Sequence, residues 1–414
     1  MLQKIVRGTT FLAVGIAVLI LVVGHASAKV IGDTIVFGAA LSFTGKYSTN
    51  GKHTKNGYEL AVKRLNEMGG VKVGGKNYKI KITYYDDEST PARGAQLAER
   101  LIKQDGVKFM LGPYSSGLTK AIAPVTEKYK IPMVEGNGAS RGLFNKGYKY
   151  IFAVLSTSDY YLREAINLAA EVAKKEGGSP KRVKVAIAVE NDPFSLDIRA
   201  GVIEDIQRWG MKLVVDDKLP PELNDMAATL TKVKALKPDV LVVSGHSKGA
   251  TLAIRQVSDM KVDVPMLAIT HCEAAAVIRQ FGSKADYTLC AAQWAPALTY
   301  RDKWFGSASD YAKTFKKKYG YVPPYQAAES TATVLVYADA LRRTGSFDTE
   351  KVRDSIAKTN LQTFYGNVKF DKTGKNIAKP MVLRQIQKGK LKVVAPTKWA
   401  TSKLIYPRPK WSQR

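Results

Sequence analysis

Cysteine and histidine are scarce in this chain: its 414 residues include two cysteines, Cys272 and Cys290, and four histidines. So few thiols exclude a scaffold stapled by many disulfides. The two cysteines can pair or stay apart, and the reading leans to free thiols. Acidic residues are also in short supply, 36 against 64 lysines and arginines, which leaves a formal net charge of +28. Low-complexity tracts are missing. So is the Gly-x-x-x-x-Gly-Lys-Ser/Thr loop that cradles nucleotide phosphates, and any energy from ATP must come through partners. No helix-turn-helix pattern precedes the first strand–helix unit, which argues against a DNA-bound repressor.

The first 28 residues carry a strong signal. Lys4 and Arg7 precede an apolar run over 9–24, and Ala26-Ser27-Ala28 supplies a small-x-small cleavage site. This is the pattern of a cleaved secretory signal peptide, with the mature chain starting at Lys29 outside the cytoplasm, in a periplasm. No cysteine stands at the cleavage site to take a lipid. Export removes nucleic acid as a partner, and the lysines are dispersed rather than gathered on one helix or groove. The positive charge instead favours solubility and biases the field toward anionic solutes. An apolar content of 45% with 24% charged residues is that of a folded globular protein, and the length suits two lobes rather than one.

From Thr34 onward, β-branched runs alternate with helical patterns, which predicts parallel sheets. The first series has strands over 34–40, 78–85, 108–111, 131–135 and 148–152, with helices over 51–68, 91–104 and 116–128. A second series follows the capping run Ser156-Thr157-Ser158-Asp159, with strands over 183–190, 211–216, 240–244, 265–270 and 287–293. A third stretch holds helices over 309–319, 326–344 and 349–359, then a strand pair over 381–387 and 392–395. The fold class is therefore α/β, two doubly wound parallel-sheet lobes. The expected division is a signal peptide over 1–28, lobe 1 over 29–153 plus 293–369, lobe 2 over 154–292 plus 370–396, and a surface-bound or frayed tail over 397–414.

In parallel sheets, ligands bind outside the carboxyl ends of the strands. Ser115 and Ser116 sit at such an end, just before a helix, where hydroxyls and backbone N–H groups suit an anion; the alternative is that they only cap the helix. His246 and His271 end two strands of the second series and suit hydrogen bonds to a carboxylate or phenol. With Cys272 they lack the tight spacing of a metal site, so no metal is expected. Tyr47, Tyr114, Phe194, Trp294 and Tyr160 fall in loops predicted to face the cleft and suit a planar or apolar ligand body.

Several local runs carry a resemblance. They are Gly38-Ala39-Ala40-Leu41-Ser42-Phe43-Thr44-Gly45, Asn66-Glu67-Met68-Gly69-Gly70-Val71, Tyr85-Asp86-Asp87, Leu111-Gly112-Pro113-Tyr114-Ser115-Ser116 and Gly138-Ala139-Ser140. In order and spacing they resemble the type I periplasmic solute-binding proteins, in particular the leucine/isoleucine/valine-binding protein family, from about Ile31 to Val394. The resemblance implies three crossovers between the lobes, near Ala153, Gln293 and 369–379, and capture of a solute by hinge closure. It implies a membrane permease and ATPase as partners, a monomer, no cofactor and no enzymatic activity.

Carried over residue by residue, Ser116 matches the serine that holds the ligand carboxylate. Gly138, Ala139 and Ser140 match the loop beside it, and Phe194 matches an aromatic residue that closes over the ligand. Tyr47 and Asn50 are candidates from the first loop. The family often supplies an acid for an α-ammonium near His271; Glu273 is the local acid here, or else it caps the next helix. The expected solute is a small carboxylate, either a hydrophobic or branched-chain amino acid or an aromatic acid, with amides behind. The alternatives are an exported hydrolase using Ser116 or Cys272 with a nearby histidine, and a ligand-sensing module for a membrane receptor.

Overall fold

Strand–helix alternation resolves into two seven-stranded sheets in the computed structural model, which describes residues 29–221, 223–273 and 275–414. The expected signal peptide, residues 1–28, lies outside the described residues. No described helix is long and apolar enough to cross a membrane.

The first sheet holds β1 (Val30–Ile31), β2 (Thr34–Leu41), β3 (Val71–Val73), β4 (Lys76–Asp86), β5 (Met110–Leu111), β6 (Met133–Glu135) and β7 (Ile151–Ala153). Its order is β3-β4-β2-β5-β6-β7, with β1 turned back antiparallel on β2. Helices α1 (Ser48–Glu67), α2 (Pro91–Lys103) and α3 (Ser116–Lys128) connect its parallel strands. The reading had a single strand over 78–85; the structure extends it to β4 and pairs it antiparallel with β3, because the chain turns back at Gly74-Gly75.

After α4 (Arg163–Lys175), the second sheet begins with β8 (Lys184–Glu190), α5 (Pro193–Trp209), β9 (Lys212–Leu219), α6 (Ala227–Leu236) and β10 (Val240–Ser244). It goes on through α7 (Ser247–Asp259), β11 (Met266–Thr270), α8 (Ala275–Phe281) and β12 (Leu289–Ala292). The strands β8 to β12 run parallel, and each residue of β10 is buried, as its unbroken apolar run requires in a sheet covered on both faces.

The chain then adds β13 (Arg301–Asp302), β14 (Gly306–Ser307), α9 (Ala308–Tyr319), α10 (Tyr325–Thr344), α11 (Thr349–Ala357), β15 (Asn360–Gln362) and β16 (Asn367–Lys369). Of these, α10 packs along α1 and is buried from Tyr325 to Leu341. The close crossing depends on Gly57, where a Cβ would lie 2.2 Å from the Ala327 carbonyl oxygen. Finally β17 (Val382–Gln387) and β18 (Lys390–Ala395) return antiparallel to β12, giving the second sheet the order β18-β17-β12-β11-β10-β8-β9. The tail docks on this sheet's loops: Arg408 N–H donates to Pro265 O, and Trp411 N–H donates to Asp263 Oδ1.

One expectation is overturned. Cys272 and Cys290 are joined in a disulfide rather than left as thiols. Cys290 lies on β12 in register with Ile269 of the neighbouring parallel β11, and Cys272 is three residues past Ile269. That adjacency sets the two Cα atoms 5.4 Å apart, within bridging distance. Sequence spacing carries no trace of it. The bridge closes a loop across a sequence separation of 18, for which chain entropy stabilises the fold by about 3 kcal/mol. The Cys272→Ala/Cys290→Ala double variant should lose about 2–4 kcal/mol of unfolding free energy in urea titrations. An unchanged midpoint would show that the bridge adds nothing.

Candidate functional site

The carboxyl ends of the parallel strands of both sheets face one cleft, and each places a loop there. From the first sheet, β5 leads to Tyr114-Ser115-Ser116 and β6 leads to Gly138-Ala139-Ser140. From the second, β8 leads to Asp192-Pro193-Phe194, β10 to His246, and β11 to His271.

The core of the site is one hydroxyl. Tyr114 Oη lies 2.8 Å from His246 Nδ1 and 3.0 Å from His271 Nε2, so a tyrosine of one lobe bridges two histidines of the other. Tyr114, His246 and His271 are all buried. Their partners determine the protons. His271 Nδ1 is 2.9 Å from the carbonyl oxygen of Gly245, which can only accept, so Nδ1 carries the proton. Burial, and then the charge of His246, lower the His271 pKa to about 3, so the ring is neutral and its Nε2 accepts from the Tyr114 hydroxyl. The Tyr114 oxygen in turn accepts from His246 Nδ1–H.

The other side of His246 faces acid. Its Nε2 is 3.5 Å from Asp192 Oδ2, an ion-pair distance rather than a hydrogen bond. Glu190 joins them, with ligand atoms of Glu190, Asp192 and His246 all within 4.8 Å of one another. Burial alone would lower the His246 pKa, but Asp192 and Glu190 outweigh it and hold it above its ordinary value. Burial pushes Glu190 up to about 7, against the pull of His246. Burial would raise Asp192 as well, but the charge of His246 and backbone hydrogen bonds bring it down. Asp192 also caps α5, accepting from the Phe194 and Ser195 N–H groups at 2.8 and 3.1 Å.

Aromatic rings enclose this chain of partners. The Phe194 ring centroid is 5.4 Å from both histidines, Tyr47 is 4.8 Å from His246, and Tyr325 is 6.0 Å from His271. Tyr161 packs edge-on against Phe194 at 5.2 Å. Lys46 sets its ammonium 4.8 Å from the Tyr47 ring centroid.

Ser116 does more than cap. Ser115 is the N-cap of α3, yet its side chain makes no capping bond, and Ser116 Oγ accepts from Ser140 N–H at 3.0 Å. Beside the two lies a cavity of about 270 Å³ whose wall includes Lys120, Lys146 and, from the other lobe, Pro193. The Ala139 carbonyl accepts from Ser158 N–H and Oγ–H. Gly138 offers no free donor, since its N–H goes to Glu135 Oε2 at 2.5 Å; it is glycine because a Cβ would lie 2.5 Å from Thr119 Oγ1. Asn50 sits at the rim, where its Oδ1 accepts from Ser247 Oγ at 3.0 Å across the cleft.

The structure therefore brings Tyr47, Tyr114, Phe194, His246 and His271 into one cluster and sets Ser116, Ala139 and Ser140 beside it. It moves three expected residues elsewhere. Trp294 is core, donating its indole N–H to Phe364 O and packing on Tyr311. Tyr160 is 43% exposed under the Arg163 guanidinium, and its neighbour Tyr161 is the residue that turns inward. Glu273 lines a separate cavity with Arg384. The zinc donor set of His246, His271 and Cys272 loses its thiolate to the disulfide. Missed at the sequence level were Glu190 and Asp192, whose signal was an acid at a strand end and a second acid before proline. Missed too were two Gly-x-Ser-x-Gly pentapeptides, Gly138–Gly142 and Gly245–Gly249, the pattern of a hydrolase elbow. In the second, Ser247 gives its proton to Asn50. In both histidines of the cleft, one ring nitrogen is engaged with Tyr114.

A family model described as periplasmic binding protein matches residues 34–390. The chain is 23% identical over 393 residues to Leu/Ile/Val-binding protein homolog 8 of Brucella abortus, covering 90% of this chain and 93% of that one. Among solved structures it is similar to the branched-chain amino acid transporter substrate binding protein of Streptococcus pneumoniae in complex with isoleucine. There the TM-score is 0.76 at 22% identity, covering 90% of this chain and 100% of that one. A solute binding protein of an ABC transporter from Rhodopseudomonas palustris, in complex with 3,4-dihydroxy benzoic acid, gives a TM-score of 0.75 at 21% identity, covering 87% and 95%.

The acid pair behind His246 predicts a pH dependence. The folded pKa of Glu190 is raised from 4.5 to about 7, so its contribution to stability is full below pH 4.5 and is lost as pH rises through 7. His246, also raised, acts in the same direction above pH 6.5. In urea unfolding, Glu190→Gln should match the unsubstituted protein near pH 5 and exceed it at pH 8 by on the order of 1 kcal/mol or more. A constant offset between the two from pH 5 to 8 would contradict this arrangement.

Proposed function

Because the chain belongs to the periplasmic binding protein family, we propose that it captures a small solute outside the cytoplasm for an ATP-driven importer. The solute we infer is a carboxylate with a planar aromatic body. The observation that carries this reading is the Tyr114 hydroxyl held between His246, whose pKa its acidic neighbours raise, and a neutral His271 inside a ring-lined cleft. A carboxylate or phenol presents to these groups the same oxygens that Tyr114 does. The Ser116–Ser140 pair and the lysines beside it supply a second anion site. An α-amino acid needs an acid for its ammonium. Near His271 the acids at the cluster, Glu190 and Asp192, already face His246.

Capture then proceeds by movement of the lobes about their three connections. In the closed arrangement, Asn50 meets Ser247, and Arg141 of the first lobe pairs with Asp197 at 2.7 Å and Glu204 at 2.8 Å on α5 of the second. A closed surface built from both lobes is what a membrane permease and its ATPase would read. A thiol-based hydrolase is disfavoured by the disulfide at Cys272, and a serine-based one by the engagement of both cleft histidines with Tyr114.

Calorimetry and thermal shift on ligand-stripped protein test this. Benzoate, 3,4-dihydroxybenzoate and 4-hydroxycinnamate should bind, adding about 2.7 kcal/mol of stability at a hundred times Kd, and L-leucine should bind far more weakly. Tyr114→Phe and His246→Gln should each weaken the aromatic acids at least tenfold. Tight leucine binding without any benzoate binding would reject the aromatic reading. If no small carboxylate shifts the melting temperature, solute capture itself is rejected.

A further inference from the structure

A cavity walled in part by the buried Arg384 lies outside the ring-lined cleft. It has a volume of about 660 Å³ and lies where α1, the loop before α10, the second crossover and the β17–β18 hairpin meet. It shares no residue with the cluster around Tyr114. Three chain segments nonetheless serve both places: Thr49 precedes Asn50, Glu273 follows His271 by two positions, and Pro324 precedes Tyr325.

Arg384 is the informative group. It sits in β17, in register with Cys290, and is 5% exposed. Its Nε and Nη2 have no hydrogen-bond partner. These two nitrogens form one edge of the guanidinium, the edge that takes both oxygens of a carboxylate in parallel hydrogen bonds. A buried donor pair without a hydrogen bond is costly, and Glu273, whose own Oε2 also lacks a hydrogen-bond partner, offsets the Arg384 charge only coulombically, so the edge is open to a ligand's oxygens. The charges around it agree in sign. Lys52, Arg279 and Lys390 line the same cavity, against a single acid, Glu273. His53 adds no charge, since burial lowers its pKa to about 4. Much of the remaining wall is apolar, with Ile278, Pro296, Pro323, Pro324, Leu391 and Val393, and the hydroxyl residues Thr49, Tyr321 and Thr401 complete it.

We propose that this cavity is a second small-molecule site, which takes an aliphatic monocarboxylate with its carboxylate on the Nε/Nη2 edge of Arg384 and its chain against the prolines and β18. Its walls come from both lobes, Thr49 and Pro324 from one and Arg384 and Leu391 from the other. An occupant therefore favours the lobes being together, and it acts through closure on the cleft without touching it.

The probe is octanoate, titrated into the purified protein by calorimetry, with 1-octanol as the neutral isostere. Octanoate should bind, octanol at least tenfold more weakly, and Arg384→Met should weaken octanoate at least tenfold while leaving 3,4-dihydroxybenzoate binding within about threefold. Should Arg384→Met fail to fold, Ala297→Trp, at an exposed position on the cavity wall, should block octanoate equally. His246→Gln should do the reverse, weakening the aromatic acid and sparing octanoate. The proposal is overturned if octanoate does not bind, if it binds equally well to Arg384→Met and Ala297→Trp, or if His246→Gln abolishes its binding. Because the two probes and the two sets of variants are separate, failure here leaves the aromatic-acid reading of the cleft intact, and the converse holds.

Discussion

Three passages of chain join the two lobes, and one knot of buried hydrogen bonds ties them together. Gln293, just past β12, accepts from the Ser156 N–H at 3.1 Å and donates to the Ser156 carbonyl at 2.7 Å, which clasps the second passage to the first. Lys379, on the third passage, donates its ammonium to the Gln293 carbonyl, and its own carbonyl accepts from Ser156 Oγ. All three residues are buried, where a broken hydrogen bond is not replaced by one to water. The passages must therefore move as one unit. That constraint couples the three crossovers instead of leaving two lobes on three independent tethers. The charge on Lys379 is costly here, and burial lowers its pKa to about 7 against the opposing pull of Glu329.

With the crossovers clasped together, the positions of the strand ends follow. The ends of β8, β10 and β11 face those of β5 and β6, so His246 and His271 reach Tyr114 across more than 130 residues of sequence. The contacts that hold the lobes together differ in strength. The Tyr114 pair is buried and directional. The rim contact between Arg141 and Glu204 is half exposed on the acid side, and exposed ion pairs contribute roughly 0–1 kcal/mol. The same arginine also pairs with the partly buried Asp197 at 2.7 Å, so the rim is held by one partly buried and one exposed contact.

Much of this was legible in the order of residues, and the limits are instructive. The buried strand Val240–Ser244 showed itself by five consecutive residues with no charge. Ser116, His246 and His271 could be named because they end strands, and in parallel sheets strand ends make sites. Trp294 was misplaced by the same rule. It follows a strand end too, yet its ring turns into the core against Tyr311, since a large apolar ring packs wherever space is dry. For Glu273 the sequence offers an ammonium partner or a helix cap, and the turn at the end of β11 instead sets it in the cavity beside Arg384.

What the sequence by itself determined is the local and the periodic: strands and helices in alternation, lobes of parallel sheet, and which residues stand at strand ends. Those follow from side-chain period and backbone preference within a few positions of each residue. Tertiary structure alone decided the disulfide, the proton order from Gly245 through His271 and Tyr114 to His246, the acids that raise the His246 pKa, and the bare edge of Arg384. Each depends on what lies a few ångströms away across the fold, because protonation and hydrogen bonding respond to burial and to opposing charge, and neither is a property of position along the chain.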